Sequence, residues 1–191
     1  MSTRSGRYLM AVWDGGGNAA PQLAVGRRLV ERGHAVHVLG DRALAGAAEA
    51  AGCTFSPWQR GTEGTAMDGS ESARHDWVTE EPLDVVRNIR DLLQSGTAAA
   101  FAADTAAAIT TFQPDAVAPD SQLFGAMIAA EEAGLPVAAL VPNLWMAPTP
   151  GTGDPGVLKI INRVLKKGLP DLNAARAERG LPPLADFNDQ L

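Results

Sequence analysis

Cysteine, tyrosine and long apolar runs are scarce in this chain of 191 residues, which contains one cysteine and one tyrosine. A single thiol cannot form an intrachain disulfide, so a reducing cytoplasm is the expected compartment. Cys53 follows Ala51-Gly52 and precedes a β-type segment, which predicts a buried small hydrophobe rather than a nucleophile. No run is apolar and long enough to indicate a secretion signal or a membrane span.

An excess of positive charge is also lacking, since 16 lysines and arginines face 22 aspartates and glutamates, for a net charge of −6. A negative surface repels phosphate backbones and anionic headgroups, which argues against nucleic acid or a membrane as the main partner. Hydrophobic residues make up 46% and charged residues 20% of the chain, which is ordinary globular usage. The length predicts one domain with a sizeable core.

The most informative segment is a glycine-rich turn between an apolar run and an amphipathic stretch. Tyr8 to Trp13 is continuously apolar, which is typical of a strand buried on both faces of a parallel sheet. Glycines occupy positions 15–17, and Pro21 suits the first position of a helix that Gly33 ends. With the next strand at Ala35 to Leu39, the pattern predicts a βαβ unit. Its turn would present backbone N–H groups to a phosphate or a polar substrate group.

A dinucleotide site is the first interpretation of this turn. Gly15-x-Gly17-x-x-Ala20 satisfies the G-x-G-x-x-G/A spacing, and Asp41 follows the second strand. On that interpretation the chain is a fragment of a nicotinamide-dependent oxidoreductase. The motif is weak by itself, because a tight turn without any ligand has the same composition. Asp41 is likewise more often a strand-end residue or a helix cap than a ribose ligand.

Four further segments carry a more specific pattern when they are taken together. They are Gly17-Asn18-Ala19-Ala20-Pro21 continuing to Arg32-Gly33-His34-Ala35-Val36, Phe112 to Asp120, Ala129 to Val137, and Leu172 to Pro183. In this order they resemble the nucleotide-sugar-dependent glycosyltransferases of the GT-B fold, above all the bacterial branch that glycosylates antibiotics and other natural products. The family's turn reads Gly-His-x-x-Pro, and its phrase Arg-Gly-His-x-Val leads into the second strand.

The resemblance implies an α/β fold, a Rossmann-like parallel sheet with helices on both faces that forms the N-terminal half of a GT-B enzyme. Residues 1–191 then form the acceptor-binding domain, and the C-terminal sugar-nucleotide domain is absent from the chain. The implied activity is an inverting glycosyltransferase of the hexosyltransferase type, inactive as this piece. A nucleoside diphosphate sugar is the co-substrate, bound mainly by the missing domain, and a hydrophobic small molecule is the acceptor. No cofactor or metal is implied.

The family's catalytic pair is altered in this sequence. In the family the histidine of the turn is the base, and an aspartate at the end of a later strand orients it. Asn18 stands at the histidine position, and its amide cannot take a proton. Asp120 matches the aspartate, and we expect it to accept the proton itself, with a pKa raised by apolar neighbours such as Phe124 and Trp145. Asp14 is a second candidate, although either aspartate alone is typical of a helix cap.

The acceptor-binding candidates lie after strand ends and in the loop from 56 to 81, because ligands of open α/β sheets bind at the carboxyl ends of strands. They are Trp13, Asp14, Gly17, Met67, His75, Trp77, Phe124, Leu144, Trp145 and Met146. The alternative is that most of the apolar ones belong to the core. His75 is a further candidate base, whereas His34 and His37 are predicted to be structural. A catalytically impaired ligand-binding homologue, in which Asn18 records lost catalysis, is the alternative function.

Overall fold

Four parallel strands form one sheet in the order β3-β2-β1-β4. The structure is a computed structural model that describes residues 5–15, 17–61, 81, 83–142 and 156–191. The strands are β1 (Arg7–Val12), β2 (Ala35–Gly40), β3 (Thr54–Pro57) and β4 (Ala116–Pro119). The chain proceeds outward from β1 through β2 to β3, and then returns to the other side of β1 with β4. In open α/β sheets, ligands bind at the carboxyl ends of the strands beside such a reversal.

Helices connect the strands and continue beyond them. They are α1 (Ala19–Glu31), α2 (Ala45–Ala50), α3 (Asp84–Ile89), α4 (Ala98–Phe112), α5 (Phe124–Glu132), α6 (Gly156–Leu165) and α7 (Leu169–Ala177). A π-helical turn, Arg90–Gln94, separates α3 from α4, where the sequence predicts a break at Gly96. None of the helices in the described ranges combines the length and apolar composition that crossing a bilayer requires.

The central strand β1 buries both of its faces, as its apolar run predicts. Leu9 and Ala11 belong to a cluster with Phe101 of α4, whereas Met10 and Val12 belong to a second cluster that includes residues of α1 and α2. All four of these β1 side chains have no exposed surface. Alternate residues of a strand point to opposite faces, so helices cover both sides of the sheet. The Rossmann-like arrangement is confirmed.

The C-terminal helices pack on α4 and α5 instead of on the sheet. The rings of Phe124 and Phe187 lie 5.1 Å apart between centroids, in a cluster that also holds Leu172. Arg176 is 2% exposed and donates to both carboxylate oxygens of Glu131, at 2.6 and 2.8 Å. This bidentate ion pair fastens α7 to α5.

The start of α1 differs from the predicted one. The helix after the glycine-rich turn begins at Ala19 and not at Pro21, which occupies its third position. Proline is tolerated there because N–H groups of the first helical turn have no partner within the helix. After α5, the described part of the chain forms two isolated bridges on the β4 side, Val117 with Val137 and Asp120 with Leu140.

The only cysteine of the chain is buried, as the sequence predicts. Cys53 is 5% exposed and packs in the cluster on the α1 side of the sheet. Burial raises the pKa of its thiol, because the thiolate is disfavoured away from water. Cys53 is therefore a small core residue.

Candidate functional site

Two buried polar residues meet at the carboxyl ends of β1 and β4, where the strand order reverses. Asn18 is the residue before α1, and Asp120 directly follows β4. Their exposed fractions are 2% and 1%. Asn18 Nδ2 donates a hydrogen bond to Asp120 Oδ2 over 3.1 Å. The structure thus brings together the two residues that the sequence resemblance paired.

The side chain of Asn18 also closes the glycine-rich turn. Its Oδ1 accepts from the Gly15 N–H at 2.7 Å, and its Nδ2 donates to the Trp13 carbonyl at 2.9 Å as well as to Asp120. Both amide hydrogens are therefore used inside the protein. Asn18 links the end of β1, the turn and the end of β4 in one network.

The two described glycines of the turn have different surroundings. A Cβ on Gly15 would lie 2.4 Å from the Trp13 ring and 3.0 Å from Asn18 Oδ1, so no larger residue fits without displacing them. A Cβ on Gly17 would meet no atom within 4 Å, and Gly17 is exposed. Gly15 is thus required by packing, whereas Gly17 leaves open space beside Asn18.

A second amide holds the carboxylate of Asp120. Gln22 is 2% exposed and its Nε2 donates to Asp120 Oδ2 at 2.5 Å, while the other oxygen, Oδ1, accepts from the Gln122 backbone N–H at 2.9 Å. The sequence interpretation missed Gln22. Its only signal was a spacing of four residues from Asn18, which places the Gln22 side chain one helical turn after Asn18, on the same side of α1.

The charge state of Asp120 follows from two opposing influences. Burial raises the pKa of its carboxyl, and hydrogen bonds from the Gln122 backbone, Asn18 and Gln22 offset part of this rise. The Trp13 indole acts in the same direction as these donors, although its Nε1 makes no hydrogen bond of ordinary geometry. No lysine or arginine in the described part of the chain contributes. The raised pKa agrees with the direction that the sequence predicts.

Three neighbours of Asp120 contain buried polar atoms without a hydrogen-bond partner. These atoms are Trp13 Nε1, Gln22 Oε1 and Gln122 Oε1. Such atoms are few in native proteins, and each costs about 1–3 kcal/mol. A polar ligand or an ordered water molecule supplies such partners in many binding sites. Their concentration around one carboxylate makes this the candidate site.

The aspartates after β1 and β2 also contact each other. Asp41 has no exposed surface, and its Oδ2 accepts from the Asp14 backbone N–H at 2.5 Å. Asp41 therefore joins the ends of two strands, which agrees with the strand-end alternative. Asp14 is half-buried beside the turn.

The structure places the predicted acceptor-lining residues in different surroundings. Phe124 is 1% exposed and packs against Phe187, because α5 lies between α4 and the C-terminal helices. It belongs to the core and not to a cleft wall, which corrects the expectation for this residue. Trp13 is partly buried against the cluster that contains Trp58. The other candidates, Met67, His75, Trp77, Leu144, Trp145 and Met146, lie outside the described residues.

Both histidines of the described chain have partners inside the protein. The Gly6 backbone N–H donates to His34 Nδ1 at 3.0 Å. His37 Nδ1 lies 2.8 Å from Thr54 Oγ1, and burial lowers the pKa of His37. These contacts agree with the structural roles predicted for both. The described residues contain no group of three or more side chains that could hold a metal ion.

The described start of the loop after β3 is fixed by a carboxylate that the sequence did not single out. Asp104 Oδ2, on α4, accepts from the backbone N–H groups of Gln59, Arg60 and Gly61 at 2.8, 2.8 and 3.0 Å. Asp104 and Gln59 also line a groove of about 370 Å³ beside β2 and β3. Neither Asn18 nor Asp120 lines this groove.

Comparisons with known proteins give fold-level matches only. No protein-family model and no curated protein matches the chain. Among solved structures, the glycosyltransferase of kitacinnamycin matches with a TM-score of 0.67 at 20% identity, over 98% of this chain and 44% of that one. The glycosyltransferase VinC, solved with DTDP, matches at 0.61 and 18%, over 95% of this chain and 46% of that one.

A third match has the same character. The glycosyltransferase SsfS6 of a Streptomyces species has a TM-score of 0.62 and 18% identity, over 95% of this chain and 48% of its own. The chain thus spans less than half the length of each of these structures. The matches show that it has the fold of one half of a GT-B glycosyltransferase, and the predicted fold class is confirmed.

Proposed function

We propose that this chain is the acceptor-binding half of an inverting glycosyltransferase of the hexosyltransferase type. The enzyme transfers a sugar from a nucleoside diphosphate sugar to a hydroxyl of a hydrophobic natural product. The observation that carries the proposal is the 3.1 Å contact between Asn18 and Asp120 at the reversal of strand order. Fold likeness to glycosyltransferases, one of them solved with DTDP, supports the reaction class.

In the proposed reaction, the acceptor oxygen forms a bond to the anomeric carbon while the bond from that carbon to the diphosphate breaks. The acceptor proton passes to Asp120. Among the described residues, Oδ2 accepts from the side chains of Asn18 and Gln22, whereas Oδ1 accepts from the Gln122 backbone N–H. Each carboxylate oxygen has about two acceptor positions, so Oδ1 keeps one for the proton. A raised pKa brings the carboxyl closer to the range that suits a general base.

The two halves of such an enzyme have separate tasks. The sugar nucleotide binds mainly to the other half, and the acceptor binds here, beside Trp13, Asp14 and the open space at Gly17. Catalysis then depends on holding donor and acceptor within reacting distance, which one half alone does not achieve.

A catalytically impaired ligand-binding homologue is the second candidate. The observation that favours it is the burial of Asp120, which is 1% exposed. A general base has to reach the proton directly or through one water molecule. On this alternative, the unpaired atoms of Trp13, Gln22 and Gln122 hold a ligand, and no transfer follows.

Turnover by a longer protein, in which this half is joined to a sugar-nucleotide half, separates the two candidates. The longer protein is incubated with thymidine and uridine diphosphate sugars and a panel of hydrophobic alcohols and phenols. We expect glycosylated product with inverted anomeric configuration, read from the anomeric coupling constant in proton NMR. Acceptor binding without any product would favour the impaired homologue. Hydride transfer from a nicotinamide cofactor would favour the oxidoreductase instead.

A further inference from the structure

We propose that Gln22 is a positioning residue for Asp120. Together with Asn18, Gln22 donates hydrogen bonds to Asp120 Oδ2, and this leaves Asp120 Oδ1 as the atom that takes the acceptor proton. The inference rests on the proposed function, in which Asp120 is the base. It adds a residue outside the pair suggested by the family resemblance.

The orientation of the Gln22 amide is set by two acceptors. Its Nε2 lies 2.5 Å from Asp120 Oδ2 and 3.2 Å from the Asn18 carbonyl oxygen. If the amide were reversed, its own carbonyl oxygen would face both of these acceptors, which is repulsive. The donor therefore points at Asp120, across 98 residues of sequence.

This orientation has an unfavourable consequence for the folded chain. With Nε2 turned toward Asp120, Gln22 Oε1 is buried without any hydrogen-bond partner. A leucine would fill similar volume and bury no unpaired acceptor. Packing alone therefore does not account for glutamine at this position, whereas a donor for Asp120 does.

The donor also favours the form of Asp120 that can accept a proton. Hydrogen bonds to a carboxylate stabilise its ionised state, and burial opposes that state. Gln22 and Asn18 supply two such bonds to one oxygen, and neither amide can compete for the proton. The pair thus favours the ionised form of a buried carboxylate and directs protonation to its other oxygen.

The test follows the titration of Asp120 by carboxyl carbon NMR in this chain and in Gln22→Leu. We expect the titration midpoint of Asp120 to shift upward, because the ionised form loses a donor. Gln94→Leu is the matched control, since Gln94 is also a buried glutamine with an unpaired Oε1 but makes no hydrogen bond to Asp120. The control should leave the titration midpoint of Asp120 unchanged, and both variants should unfold cooperatively in denaturant, which shows that they are folded.

An unchanged Asp120 midpoint in folded Gln22→Leu would overturn the inference. If Gln22→Leu does not fold, Gln22→Glu is the second test variant, because the glutamate side chain has nearly the same shape as glutamine. Two carboxyls 2.5 Å apart share one proton, so Asp120 and the new glutamate should titrate in two coupled steps. Independent titration of the two groups would also overturn it.

Activity of the longer protein separates this inference from the proposed function. Gln22→Leu should lower kcat by about tenfold, the worth of one hydrogen bond to a charged group, with KM for the acceptor unchanged. The acid limb of its pH–rate profile should move to higher pH. A wild-type protein without transfer would refute the proposed function. A transferring enzyme whose pH profile is the same in Gln22→Leu would refute the positioning role alone.

Discussion

Asn18 Nδ2 lies 3.1 Å from Asp120 Oδ2, and this contact joins the turn after β1 to the end of β4. In the enzymes that the sequence resembles, a histidine is expected in place of the asparagine. The asparagine retains a donor toward the aspartate and has no group that titrates near neutral pH. The site therefore keeps the geometry of a hydrogen-bonded pair, and we infer that proton acceptance passes to the carboxylate.

Replacement of the proposed base should have the largest effect on turnover. In the longer protein, Asp120→Asn should reduce kcat by about a hundredfold to ten-thousandfold, because the variant has no proton acceptor at Oδ1. Acceptor affinity, measured by calorimetry, should change much less. Full turnover in Asp120→Asn would contradict the mechanism and make His75 or a substrate-assisted route the next hypothesis.

Asn18 provides a graded comparison at the same site. Asn18→Ala removes a donor from Asp120 and the acceptor of the Gly15 N–H, but no proton acceptor. Its loss of turnover should therefore be smaller than that of Asp120→Asn. Asn18→His restores the family's pair and should raise turnover with alcohol acceptors, provided that the ring fits. The mechanism is contradicted if Asn18→Ala is the more damaging change.

The chain alone should not transfer sugar. Donor and acceptor have to be held together across two halves, and the chain spans 44% of the kitacinnamycin glycosyltransferase. Incubation with thymidine and uridine diphosphate sugars, followed by mass spectrometry of the acceptor, should reveal no product. Appreciable transfer or tight donor binding by the chain would contradict the division of tasks between the halves.

The two glycines of the turn should respond differently to alanine. Gly15→Ala places a methyl group 2.4 Å from the Trp13 ring, so the turn has to shift, at a cost of about 1–3 kcal/mol in the free energy of unfolding. Gly17→Ala meets no atom within 4 Å and serves as the matched control, with a change within about 0.5 kcal/mol. Urea unfolding followed by circular dichroism measures both. Equal destabilisation would show that the packing at Gly15 is not what requires glycine.

Stability should depend on pH through Asp120. Because burial raises the pKa of Asp120 above that of the unfolded chain, the folded state binds more protons between the two values. The contribution of Asp120 to the free energy of unfolding of the wild type therefore falls as pH rises from the ordinary pKa of 3.8 to the raised pKa of the folded state. Above the raised pKa this contribution is constant. Asp120→Asn should gain stability relative to wild type as pH rises, measured by urea unfolding at several pH values.

Asp186 gives a control of opposite sign. Lys166 lowers the pKa of Asp186, so this carboxyl contributes stability above its ordinary pKa that is lost as pH falls. Asp186→Asn should therefore lose stability relative to wild type as pH rises. A stability difference for Asp120→Asn that is independent of pH, or that follows the direction of Asp186→Asn, would contradict the assignment.

The ion pair between α5 and α7 should matter more than its exposed neighbour. Arg176→Met leaves Glu131 and the Pro182 carbonyl without their buried donor, and we expect a loss of about 2 kcal/mol. Arg179→Met removes a pair with Glu132 nearer the surface and should change stability by about 0.5 kcal/mol or less. Thermal and urea unfolding measure both variants. Equal losses of stability in the two variants would indicate that burial does not strengthen the contribution of Arg176.

Local patterns were sufficient for the βαβ unit and for one side of the site. The apolar run before the glycines, the helix that Gly33 ends and the buried Cys53 depend on residues close in sequence, and the structure confirms them. The approach of Asn18 to Asp120 was available only through resemblance to a family, because 102 residues separate them. Their proposed catalytic roles stay predictions.

Tertiary packing decided the rest of the site. The helical pattern around Gln22 indicates only that its side chain lies on the same side of the helix as Asn18. Gln22 becomes a donor to Asp120 because β4 pairs with β1 and brings Asp120 beside the helix. Phe124 follows a strand end, where a cleft residue is expected, but α7 and Phe187 cover it and place it in the core. The physical reason is the same in both cases. Periodicity reports which residues share a face, and only the packing of distant elements determines what that face meets.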